Sequence, residues 1–522
     1  MKNKIIKYQV LIIFLSIILG ILFGYIAFSG TDAITEKKMN EKIIPVMDKI
    51  SIEAGDYQIT DGTFFQTDKE IKPFYPVFYI SIPEEIGNIN SLALVIDDYK
   101  TDNYIANDKL MGRMLTSEKK DGQYTKADFI VEYANDENII IFNVSDIDLT
   151  KAGFSIRGNF RLREVLVSEF EPEIIREKIR FNLRYTIIPI ILLLILFEIF
   201  FFSRQILFSI LKKIAERKKY YLLCLLLKTA GGLTGLCIGK LLNQENYNYF
   251  TQVWFISLGT LIPLLILGIK KFIAKPELLF ALISLFVGIT FIFEMPSSGF
   301  VTWDDQVHYR DALALSYGGH GIMTAADDDV IDLRSLPLSD YADSEIMMSN
   351  EEYMNMLYES GPVYIDTDSH FKLTHISYMP AAMGLFTGRL LHLNFSGTFV
   401  LGRLFVLLTY TGLVYMAIRS LRYGKMFLAC IALMPTLLFQ ACNISYDSWI
   451  TGFFLLGTAL FISELQTDTY ITVKKEIYII LAFLAGLIPK PVYFPILLIL
   501  FAMPKNKFKH VRKMHDWIIY EE

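Results

Sequence analysis

Long apolar runs divide this chain into membrane-length segments separated by polar stretches of very unequal length. The first run, Val10 to Phe28, follows Lys2, Lys4 and Lys7. It is long enough to cross a bilayer and longer than a usual signal core, so it reads as an uncleaved span with its lysines in the cytoplasm. Further runs cover Tyr185 to Phe202, Tyr221 to Leu242, a fourth ending at Ile269, Leu278 to Phe293, Thr398 to Ile418, Met426 to Asn443 and Trp449 to Leu465. Ile477 to Met503 is interrupted by Pro489-Lys490-Pro491 and reads as a short hairpin with Lys490 near the outer surface. Ile376 to Leu393 is apolar, but Arg389 and His392 interrupt it. As a span it would carry Arg419, Arg422 and Lys425 outside, so it is expected to be a helix lying on the outer surface. The total is about ten spans with both termini inside.

Cytoplasmic turns are marked by Arg204, Lys212, Lys213, Arg217, Lys218 and Lys219, by Lys270, Lys271 and Lys275, and by Lys474 and Lys475. The tail with Lys505, Lys507, Lys509, Arg512 and Lys513 joins them. Two stretches then fall outside. In the first, residues 31–183, short runs rich in Ile, Val, Phe and Tyr recur: Asp56–Thr60, Val77–Ile82, Ser91–Ile96, Phe129–Tyr133, Asn138–Val144, Gly153–Arg157 and Glu164–Phe170. Asp, Asn, Gly and Lys separate them, which predicts an antiparallel β-sandwich-like domain. The expected organisation is an N-terminal membrane anchor (1–29), an extracytoplasmic β-rich domain (30–183), linking transmembrane helices (184–275) and a C-terminal transmembrane module (276–522) with an external loop at 294–397.

Composition agrees with a multi-pass cell-membrane protein. Of 522 residues, 53% are hydrophobic and only 20% charged, with mean hydropathy +0.38. The net charge of −5 is uninformative because the signs are segregated along the chain, and it gives no reason to expect a nucleic-acid partner. Cys224, Cys237, Cys430 and Cys442 lie in or beside apolar runs, without disulfide or zinc spacing, and read as packing residues.

Candidate chemistry gathers where spans end. Asp304-Asp305 follows the run ending at Phe293, among Trp303, His308 and Arg310. Thr302-x-x-Asp305 fits a capping box opening a helix from Gln306 to Tyr317, on which Asp304, His308 and Asp311 share a face. The plain alternative is a capped, solvated helix. The functional one is a general base, with Asp304 and His308 as ligands of a divalent cation such as Mg or Mn. Asp447, in Ser445-Tyr446-Asp447, either caps the next span or joins the same site. Lys490 either snorkels or neutralises a lipid phosphate. Arg403 lies inside a span and should face the protein interior. Glu198 and Lys228 are also intramembrane, without assignable partners. Asp327-Asp328-Asp329 opens a long acidic loop with Asp332, Asp340, Asp343, Glu345, Glu351 and Glu352, and reads as solvated surface that could cover a substrate.

From about 278 to 510 the chain resembles bacterial membrane proteins grouped as domain of unknown function 2142. The matching residues are Asp304-Asp305 with His308, Tyr378-Met379-Pro380, Gly402-Arg403-Leu404, Met434-Pro435, Ser445-Tyr446-Asp447 and Lys490-Pro491-Val492-Tyr493. That family is in turn similar to GT-C glycosyltransferases, which take sugars from polyprenyl-phosphate donors. The resemblance implies a GT-C-like module with one acid after its first span as base or metal ligand, a second after a later span, and an external surface helix between them. Two departures stand out: Asp304-Asp305 replaces the usual Asp-Glu, and the chain stops at Glu522 where GT-C modules continue, as a truncated member would.

The leading expectation is an inverting glycosyltransferase-like protein with a polyprenyl-phosphate sugar donor and a cell-surface glycan or glycolipid acceptor. Asp304, Asp305 and Asp447 are its candidate catalytic residues; His308, Arg310, Arg389, Lys490 and Tyr493 are its candidate substrate-binding residues. A non-enzymatic protein binding envelope polysaccharide through its β domain is the first alternative. A lipid-linked sugar transporter is the second, and only Glu198, Lys228 and Arg403 would line its path.

Overall fold

A computed structural model describes residues 2–28, 32–40, 42–67, 76–100, 110–115, 129–135, 137–145, 147–156, 158–178, 183–198, 218–242, 249–296, 302, 304–319, 321–331, 351–352, 354–355, 357–358, 362–366, 372–504 and 507–508. Trp303, the basic residues Arg204 to Arg217, the acidic residues Asp332, Asp340, Asp343 and Glu345, and the tail beyond 508 lie outside the described residues.

The polar N-terminal stretch folds as two antiparallel sheets, because its alternating residues leave one apolar face per strand. One sheet runs Ile139–Asn143, Ser91–Lys100, Asn159–Ser168, Phe64–Thr67, Tyr57–Thr60, with Ile44–Pro45 paired to Asn159–Ser168. The other runs Ser51–Glu53, Phe78–Ser81, Ala152–Ile156, Met111–Leu115, Phe129–Tyr133. Their inner faces share a core that includes Phe65, Phe78, Phe142, Phe154 and Phe160. Phe65 and Phe160 stack at 4.8 Å, and the buried Tyr57 hydroxyl binds the backbone of Ile156. The chain enters and leaves through a separate antiparallel pair, Asp32–Lys38 with Glu173–Lys178.

The helices, in chain order, are α1 (Lys2–Phe28), α2 (Lys218–Leu242), α3 (Tyr249–Ala274), α4 (Pro276–Glu294), α5 (Asp305–Ser316), α6 (Ala325–Ile331), α7 (Met379–Leu390), α8 (Phe395–Ser420), α9 (Lys425–Ala432), α10 (Pro435–Ala441), α11 (Asp447–Leu465) and α12 (Val473–Leu487). Residues 187–198 are also helical. Among the described residues five helices are long and apolar enough to cross a membrane: α1, α3, α4, α8 and α11. Two of the other expected runs are broken locally. Pro435 forces Met434 out of the helical region (ψ 134°), splitting the run 426–443 into α9 and α10. The run 477–503 breaks after Leu487, and 3-10 turns follow from Pro491 to Ala502. With 15 residues, α12 is about 22 Å long, short of a bilayer core of about 30 Å. Glu198, for which no partner was expected, accepts a hydrogen bond from Gln9 of α1 at 3.3 Å.

Of the apolar segment 376–393, the α-helical part is the twelve residues of α7, too short to cross a bilayer core of about 30 Å. The twelve residues of α7 are buried over most of their circumference, including Ala381, Ala382, Leu385 and Phe386. They join one core with Tyr309 and Leu313 of α5 and Phe399 and Val406 of α8. Gly384 permits this packing: a Cβ there would lie 2.3 Å from the Leu401 carbonyl oxygen of α8.

Candidate active site

The end of α4 is held by a buried cation. Arg403, 2% exposed in α8, donates from Nη1 to the carbonyls of Met295 (3.3 Å) and Pro296 (2.8 Å). Helix C-termini carry unpaired carbonyls and partial negative charge, so a guanidinium suits this position. Its plane also lies over Phe399, 4.7 Å from the ring centroid. The intramembrane Arg403 thus faces inward and fastens the chain just before the acidic pair.

The two acids of that pair differ. Asp305 accepts from the Thr302 backbone N–H at 2.7 Å and from the Thr302 hydroxyl, so its carboxylate closes the capping turn. Asp304 is exposed and sits in the left-handed region (φ 65°), which Asp tolerates better than most residues. Its carbonyl accepts from Val307 and His308, starting α5 one residue earlier than expected.

His308, in the first turns of α5, is 6% exposed. Its Nδ1 lies 2.7 Å from the hydroxyl of Tyr378, the residue that leads into α7. Tyr446 meets the imidazole edge to face at 4.7 Å, and Asp447 follows as the first residue of α11. Ser445 orders that turn: its hydroxyl accepts from the Asp447 N–H at 2.9 Å and donates to the carboxylate at 3.2 Å. Lys490 Nζ lies 5.1 Å from the Tyr446 ring centroid and 5.8 Å from that of Tyr493. Burial lowers the His308 pKa from its ordinary value of 6.5; Lys490 adds to this, while Asp447, Asp304 and Asp311 oppose it. Asp304 and Asp447, remote in sequence, therefore act on one imidazole. Lys490 is raised, first by its hydrogen bond with Tyr446. Next to this cluster Asp447, Thr451, Phe454, Val492, Tyr493 and Ile496 line part of a groove of about 490 Å³.

Charge linkage gives a measurable consequence. Above about pH 6.5 His308 is neutral folded and unfolded, and its contribution to stability is complete. Below that, the unfolded chain takes up a proton that the folded site resists, so stability falls toward the lower folded pKa. Burial lowers His375 in the same direction, against Asp311, whose Oδ2 is 3.7 Å from His375 Nε2. The unfolding midpoint in detergent should drop as the pH falls through and below about 6.5, less steeply in His308→Gln. An identical slope in that variant would refute the assignment.

Other sequence candidates go elsewhere. Arg310 lies beside Asp311, Nε to Oδ1 3.8 Å. Arg389, expected at the substrate, instead donates from Nη2 to the Ser316 carbonyl (3.2 Å) and hydroxyl (2.8 Å) and stacks 3.9 Å from the Tyr317 ring centroid. The expectation that Asp327 is solvated is corrected by the same region. Asp327 is 3% exposed, accepts from the Thr324 N–H and hydroxyl, and accepts from Tyr309 at 2.5 Å. It is the acid of a second capping box, Thr324-x-x-Asp327, at the start of α6. Among the described residues no three His, Cys, Asp or Glu side chains gather as a metal site. Nδ1 of His308, one of the two ligands expected from sequence for a divalent ion, is already engaged by Tyr378.

Tyr378 and Tyr446 were absent from the sequence-derived site. Both stand in motifs noted for other reasons, Tyr-Met-Pro and Ser-Tyr-Asp, and only the fold brings them onto His308. No curated protein and no solved structure matches this chain. Residues 285–520, which hold the acids, Tyr378, Tyr446 and Lys490, match the model of the family described as predicted membrane protein (DUF2142).

Proposed function

We propose that this protein is a membrane glycosyltransferase that moves a sugar from a polyprenyl-phosphate donor to a glycan or glycolipid of the cell envelope. The observation that supports this reading is that His308 lies within electrostatic reach of Asp304, Asp447 and Lys490, with Asp447 on a groove lined in part by apolar side chains. A prenyl chain suits the groove walls, and Lys490 stands close enough to its Asp447 and Tyr493 side to meet a phosphate head. Asp304 is the base in this scheme, because Asp305 is occupied by Thr302.

The acceptor hydroxyl gives its proton to the Asp304 carboxylate as its oxygen bonds to the sugar anomeric carbon. The bond from that carbon to the phosphate oxygen breaks with its electron pair, leaving polyprenyl phosphate, whose charge Lys490 offsets. Attack opposite the leaving group inverts the anomeric configuration.

The test uses purified full-length protein in lipid vesicles with a radiolabelled polyprenyl-phosphate sugar and an envelope glycan extract. Label should pass to the glycan as polyprenyl phosphate accumulates. Donor that stays intact across a panel of polyprenyl-phosphate sugars would overturn the reading.

A further inference from the structure

His308 has two ring nitrogens, and the fold occupies one of them. Nδ1 is 2.7 Å from the Tyr378 hydroxyl, in a buried pocket closed by Tyr446. A phenol is a stronger donor than acceptor, and an unprotonated imidazole nitrogen is a better acceptor than a phenol oxygen. Burial keeps the ring neutral, so one nitrogen carries the proton and the other a lone pair. Burial likewise keeps Tyr378 protonated, with Asp311, Tyr446 and Asp447 adding to the effect.

We infer that Tyr378 is a positioning residue that donates to Nδ1 of His308 and fixes the imidazole in the tautomer with its proton on Nε2. The ring then presents a donor and no lone pair to the rest of the site. In the proposed reaction, on which this consequence rests, His308 cannot be the base and proton removal falls to Asp304. Nε2–H is instead available to an oxygen of the lipid-linked sugar. The tyrosine is set for this by its place: the 3-10 turn Leu373–Tyr378 ends at the start of α7, and α7 is wedged between α5 and α8.

The tautomer can be read without a substrate, so an inactive preparation does not alter the result. The full-length protein, labelled with nitrogen-15 histidine and held in detergent micelles, has seven histidines. His308→Gln identifies the His308 signals. Long-range nitrogen–proton correlation should show Nδ1 unprotonated and Nε2 protonated. In Tyr378→Phe the two nitrogen shifts should move toward each other as both tautomers become populated, while His375→Gln leaves the pattern in place. A proton on Nδ1 in the unmutated protein overturns the inference, whatever the variants do. So does an unchanged pattern in folded Tyr378→Phe. Rescue of the pattern in no variant but those that keep the Tyr378 hydroxyl separates positioning from packing.

Discussion

Asp304→Asn should cut sugar transfer by roughly 10²–10⁴-fold, the usual worth of a general base, while membrane insertion and unfolding temperature stay as they were. Asp304 is exposed, and its backbone carbonyl, which Asn retains, supplies the start of α5. Asn also tolerates the left-handed backbone at this position. Asp305→Asn should behave in the opposite way. Its carboxylate takes both donors of Thr302, and an amide offers one acceptor oxygen where there were two. A loss of about 1 kcal/mol in stability follows, with transfer reduced only as far as the turn loosens. Label incorporation per mole of protein, read beside thermal unfolding, separates the two. An active Asp304→Asn with an inactive but stable Asp305→Asn would exchange their roles.

Arg403→Met should destabilise the helical module by about 3 kcal/mol or more, because the carbonyls of Met295 and Pro296 lose a charged donor in a buried place. Arg403→Lys keeps the charge but not the planar fork, and should recover only part of the loss. Chemical unfolding in detergent checks both. Transfer should fall in both as well, since Arg403 holds the end of α4, after which the chain continues to Asp304. An unchanged unfolding midpoint in Arg403→Met would show that these carbonyls find other donors.

Where local pattern decides structure, the sequence was readable. The short runs at Asp56–Thr60, Val77–Ile82, Ser91–Ile96, Phe129–Tyr133 and Asn138–Val144 each hold a strand, and Thr302-x-x-Asp305 marked the turn that leads into α5, although Asp304 rather than Thr302 is the N-cap. The same four-residue pattern at Thr324-x-x-Asp327 was hidden by the neighbouring aspartates, which make the segment read as solvated. Hydropathy averages over a run and passes over the break that Pro435 imposes, so one expected span became two short helices. Arg389 was misplaced because its partners, Ser316 and Tyr317, are more than seventy positions away. Tyr378 lies 70 positions from His308, and no spacing rule links them. That Asp304 and Asp447 each follow an apolar run was legible from the sequence alone.

The two strands that carry the chain into and out of the sandwich are laddered to each other, with Lys38 opposite Glu173 at the far end of the pair. Topologically the sandwich is thus a long insertion into a hairpin, grafted between two adjacent points. The backbone of Asp32–Lys38 also runs against Pro362–Asp366 of the helical module's loop region. That strand pair is therefore a shared seam, touching on one side the sandwich it closes and on the other the segment between α6 and α7.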